Sequence, residues 1–95
     1  TNLQETKRRP AMIISKAMER DYIVCPITTQ IQKDPYCINL MSNDFQEGQL
    51  THPNSFIRCN KPFTIDYSLI IYKVGKVHEA HIQKVIGHLT HFLKE

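Results

Sequence analysis

The 95-residue chain has no tryptophan and only three glycines, so few positions can adopt left-handed backbone or let two backbones close up. Its three cysteines, Cys25, Cys37 and Cys59, are odd in number and show no C-x-x-C spacing. That argues against a disulfide frame or a zinc site and for reduced thiols in a cytoplasmic protein. No apolar run approaches the ~20 residues of a membrane-spanning helix, and the start lacks the basic-then-apolar pattern of a secretory leader. Neither an internal repeat nor a low-complexity tract divides the chain.

What remains is the make-up of one small globular domain over residues 1–95. It is 41% hydrophobic and 22% charged, enough for a modest core that association with a second copy would help to stabilise. The net charge of +3, with five neutral histidines, tolerates a polyanionic partner without requiring one.

The densest apolar stretch, Tyr22-Ile23-Val24-Cys25-Pro26-Ile27-Thr28, runs into a polar tip at Thr29-Gln30. Buried β-branched residues leading into small polar ones predict a strand over 22–28 that delivers its tip to a sheet rim. Pro26 inside it implies an edge, a bulge or a bend. A shorter apolar run, 11–15, is predicted as a buried strand introduced by Lys7-Arg8-Arg9-Pro10, and 16–21 as a loop or a single helical turn. Further strands are expected at 36–40, 55–60 and 63–66, with 41–54 a long loop or loose hairpin. In the strand at 55–60, Phe56, Arg58 and Asn60 share one face and Ser55, Ile57 and Cys59 the other. The period then changes. Ile82, Val85, Ile86, Leu89, Phe92 and Leu93 fall on one helical face, predicting a helix over 78–94. Short strands followed by one helix imply a mainly β fold, a strongly bent antiparallel sheet or small barrel with a C-terminal helix.

Four blocks carry a resemblance. Lys7-Arg8-Arg9-Pro10-Ala11-Met12-Ile13-Ile14-Ser15 resembles the K-x-R-P-hydrophobic-S stretch of MazF/PemK-type toxins. Val24-Cys25-Pro26-Ile27-Thr28-Thr29-Gln30 is similar to their V-x-P-I-T-S/T-Q stretch. The segment from Ser55 to Asp66 resembles their S-x-V-R-x-D-x-x-R/F-T-I-D block, and Lys73-Val74-Gly75-Lys76-Val77 their K-x-G-x-L before the last helix. In this order the blocks cover residues 7–94.

The resemblance implies an SH3-like barrel with a C-terminal helix, working as a homodimer. It further implies a toxin of a type II toxin–antitoxin system, a metal-independent endoribonuclease without cofactor. Such an enzyme cuts single-stranded RNA, chiefly mRNA, at short motifs, and a partner antitoxin blocks its groove. On the matching positions the implied catalytic residues are Arg9, Thr28 and Arg58, and the RNA-binding residues Arg8, Thr29, Gln30, Asn60 and Lys61, with residues 41–54 helping to choose bases. Two departures stand out. Asn60 occupies a position where some members carry Asp, and a carboxamide cannot titrate. The strand that members place before the Arg-Pro stretch is not expected within 1–95.

The chemistry fits these residue types. RNA carries its own nucleophile, the 2′-hydroxyl. Cleavage requires removal of that proton, stabilisation of charge developing on phosphate, and protonation of the leaving 5′-oxygen. A guanidinium such as Arg9 presents a fixed fork of donors to phosphate oxygens, and Thr28 can donate to phosphate or position the hydroxyl. The plainer readings are a solvated arginine at 9, a threonine at 28 that caps its own backbone, and an ion-paired surface arginine at 58. Asp66 is expected to fix a turn through its own backbone. His52 has the titration range for acid–base work. His88 and His91, three apart on the helix, have ligand spacing but are expected to form part of a solvated stripe. Phe45, Phe56 and Tyr36 are candidates for base stacking, with core packing the commoner role. A rival for the whole is the same barrel without catalysis, binding RNA or poisoning gyrase as the fold-related CcdB toxins do.

Overall fold

A computed structural model describes residues 9–30 and 35–94. The described chain forms seven strands and one helix: β1 (Ala11–Ile13), β2 (Asp21–Thr28), β3 (Cys37–Met41), β4 (Phe45–Gly48), β5 (Asn54–Arg58), β6 (Phe63–Asp66), β7 (Gly75–Val77) and α1 (Glu79–Lys94). The expected class is what the chain adopts: antiparallel β structure with a terminal helix. Five strands make one sheet, in the order β1-β2-β5-β3 with β6 also on β2, and β4 pairs with β7 in a separate ladder.

β2 is the hub. One edge takes β1, with Met12 opposite Cys25. The other edge takes β6 up to the Val24–Phe63 pair and β5 from the Ile27–Ile57 pair onward. Pro26 falls between those two ladders, where no partner on that edge needs its missing N–H. The proline therefore marks a handover between strands and a bend in the sheet.

Alternation along the strands selects the core. Met12, Cys25, Ile38, Leu40, Ile57 and Cys59 are buried from one side of the sheet, and Val85 of α1 packs onto them. Of the predicted helix face, Ile82 packs against this cluster, whereas Leu93 is 69% exposed and lies beyond its reach.

The structure refines or corrects the expected elements in several places; the strand expected at 55–60, for one, runs from Asn54 to Arg58 and leaves Asn60 in a turn. β1 stops at Ile13, short of residue 15, because the Ser15 hydroxyl accepts the Ile23 N–H at 2.8 Å and takes over from the backbone ladder. Residues 16–21 make a tight turn, in which Met18 and Asp21 exchange backbone hydrogen bonds and Glu19 adopts a φ of 59°. Residues 41–54 are not one long loop. A short 3-10 turn, Ser42–Asp44, leads into β4, which pairs with β7. At that crossing Gly48 lies opposite Gly75, and a Cβ on Gly48, at φ 69°, would collide with the Val74 carbonyl. Asp44 ties this segment to the start of the helix. Its Oδ2 accepts the Met41 N–H at 2.8 Å, its carbonyl accepts the His78 N–H at 2.9 Å, and its Oδ1 lies 3.5 Å from His81 Nδ1.

Candidate functional site

The side of the sheet away from the core is set by register. On β2 it carries Val24, Pro26 and Thr28, since Cys25 and Ile27 face inward. On β1, Ala11 lies opposite Pro26 and Ile13 opposite Val24; on β6, Phe63 lies opposite Val24. On β5, Phe56 pairs with Thr28, which brings Arg58, two residues on, level with Pro26. Arg9 joins this face because the Ile27 N–H donates to the Pro10 carbonyl at 3.2 Å, holding the chain before β1 beside the tip of β2.

A groove of about 380 Å³ opens on this face, and Arg9, Pro10, Thr28, Gln30, Arg58 and Phe63 are among the residues that line it. Among the described residues its lining holds two guanidinium groups and no carboxylate or imidazole. The Thr28 Oγ1 accepts the Gln30 N–H at 3.1 Å. That is the self-capping reading, yet it leaves the hydroxyl proton free to donate elsewhere. The Arg58 Nε is buried with no hydrogen-bond partner among the described residues, so the ion-paired reading of that arginine does not hold at this atom.

Of the residues singled out by sequence, Arg9, Thr28, Gln30 and Arg58 therefore meet in one groove. Thr29 is exposed just past β2 and does not line it. Asn60 and Lys61 sit in the turn after β5, where the Lys61 N–H donates to the Arg58 carbonyl at 3.3 Å; neither lines the groove. The Asn60 Oδ1 is buried without a partner among the described residues. Arg8, and the place where a family first strand would precede it, lie outside the described residues. No residue of 41–54 lines the groove, and exposed His52 stands apart from it.

Asp66 plays the structural part expected. Its carboxylate accepts the Ser68 N–H at 2.8 Å and pairs with Arg20 at 3.2 Å. These bonds, Ser68 first and then Arg20, hold its pKa below the ordinary value. Tyr36 packs edge-to-face on Phe92, with ring centroids 4.9 Å apart, and Phe45 packs against the core, so both rings take the packing role, and neither lines the groove. His88 and His91 line a second cavity of about 450 Å³ with Pro35, Tyr36 and Gly87. Among the described residues no three His, Cys, Asp or Glu side chains converge as a metal site. Sequence reasoning passed over Phe63, a residue 46% exposed that lines the groove. Its place depends on the pairing of β6 with β2, which no local pattern reveals.

A family model of the PemK-like, MazF-like toxins of type II toxin–antitoxin systems matches residues 2–93. The chain belongs to this family. Its fold is similar to that of the Mycobacterium tuberculosis toxin MazF-mt6, with a TM-score of 0.74 and 14% identity over 90% of this chain and 86% of that one. No curated protein matches it by sequence. In this PemK-like toxin the Arg-Pro and Pro-Ile-Thr blocks are the two segments joined by the Ile27–Pro10 hydrogen bond. The block around Arg58 supplies the neighbouring strand. No helix among the described residues is long and apolar enough to cross a membrane.

Proposed function

We propose that this toxin is a metal-independent endoribonuclease that cuts single-stranded RNA in the cytoplasm and is neutralised by a cognate antitoxin covering its groove. The observation that carries the reading is the convergence of Arg9, Thr28 and the partly buried Arg58 in one groove that has no acidic lining among the described residues. A buried polar N–H without a partner costs roughly 1–3 kcal/mol, and more on a charged guanidinium. A phosphate oxygen entering the groove would offset that cost with a charge-assisted bond.

In the reaction the 2′-oxygen attacks phosphorus and the bond to the 5′-oxygen breaks, leaving a 2′,3′-cyclic phosphate and a 5′-hydroxyl. Arg9 stabilises the negative charge that grows on the phosphate oxygens, and Arg58 assists. Such donors, fixed in place before the reaction, are typically worth several kcal/mol. Thr28, anchored by Gln30, donates its free proton to phosphate or orients the 2′-hydroxyl. Asn60 cannot exchange a proton, so the acid–base steps do not pass through that position.

The working form is a homodimer. Tyr67, Leu69, Ile70, Ile71, Tyr72 and Val74 are all exposed, Leu69 and Tyr72 to about two-thirds. Exposed apolar residues clustered in one short segment are what an interface with a second copy would cover.

The test is incubation of the purified toxin with single-stranded RNA in excess EDTA, beside Arg9→Ala and Thr28→Ala. Cleavage by the wild type should fall about 100-fold or more in Arg9→Ala and less in Thr28→Ala. RNA left equally intact by all three, or cleaved only after a divalent metal is added, removes the proposal.

A further inference from the structure

The groove has an apolar element that the phosphate chemistry does not use. Val24 is only 2% exposed although it lies on the face turned away from the core, because Ile13 on β1 and Phe63 on β6 flank it. Those two flanking side chains are themselves 42% and 46% exposed. Phe63 borders the groove, and Ile13 does not. An aromatic ring left half open beside two guanidinium groups is not explained by packing, since its burial ends at Val24.

We propose that Phe63 is a stacking platform for one unpaired nucleobase of the RNA whose backbone Arg9 and Arg58 hold, an inference that rests on the ribonuclease reading. Charge complementarity selects this occupant. The same groove offers cations for the phosphates and a flat apolar face for a base. Stacking tolerates any base, because each has a π-face. Phe63 thus sets where the strand lies, while Gln30, on the same groove, is placed to meet a base edge.

The experiment measures fluorescence anisotropy of labelled 2′-O-methyl RNA ten-mers, which lack the nucleophile and survive, and of ten-mers in which every base is abasic. Wild type is compared with Phe63→Leu, Phe63→Tyr and Arg9→Ala across a salt series. Phe63→Leu should lose about 5- to 100-fold in affinity for the base-bearing strand. It should lose nothing for the abasic strand and keep the salt slope, and Phe63→Tyr should restore binding. Arg9→Ala should weaken both strands and flatten the salt slope. If Phe63→Leu binds the base-bearing strand like wild type, weakens both strands equally, or changes the oligomeric mass, the platform is overturned while the ribonuclease reading stands. If the wild type binds neither strand, both readings fall together.

Discussion

Burial on the core side of β2 pushes the Cys25 thiol up from its ordinary 9.0 to about 11. The folded thiol thus holds its proton to higher pH than the unfolded one. Stability is complete below pH 9 and is lost as pH rises towards 11, by about 2–3 kcal/mol. Unfolding in denaturant at pH 8 and pH 11 should show this fall, and Cys25→Ala, less stable at pH 8, should show a smaller one. Thr28 and Arg9 lie on the same scale. Their residue types and flanking prolines were legible in the chain, and so was the self-capping of Thr28, because an ST turn needs only residues two apart. The Nε of Arg58, unpartnered among the described residues, was not legible, because solvent exclusion at an atom is set by tertiary packing and not by local sequence.

Among the elements, β2 and α1 were legible because their periods are strong: a β-branched run in one, apolar residues at helical spacing in the other. β4 was not. Phe45-Gln46-Glu47-Gly48 is mostly exposed, so its side chains carry no alternation, and the strand exists because its backbone pairs with β7. That pairing needs two backbones to approach closely at Gly48 and Gly75, where even a methyl group has no room. A Cβ on Gly75 would lie 2.5 Å from the Glu47 carbonyl oxygen. Gly48→Ala combines left-handed backbone strain with a backbone collision and should lower stability by about 2 kcal/mol or more in thermal unfolding. The end of the helix shows the opposite error. Leu93 keeps the period after the core has ended.

For the molecule as a whole, the run from Leu69 to Val74 leaves Leu69, Ile70, Ile71, Tyr72 and Val74 exposed. If it joins two copies, light scattering should give the mass of a dimer for wild type, and Ile71→Asp should give the mass of a single chain with an unchanged circular dichroism spectrum. A monomeric wild type at micromolar concentration would remove that interface. Ile71 is 59% exposed, so a charge there costs the folded monomer little.

By itself the sequence determined the mainly β class, the terminal helix, the alternation that puts Ser55, Ile57 and Cys59 on one strand face, and the family, because those signals are periodic or contiguous. Tertiary structure alone decided which flank of β2 each strand takes, that Asn60 and Lys61 fall outside the groove which Arg9, Thr28 and Arg58 share, and that Phe63 stands open within it. The physical reason is register: a one-residue slip of β6 against β2 would turn Phe63 to the other face, and nothing within Phe63-Thr64-Ile65-Asp66 forbids that slip.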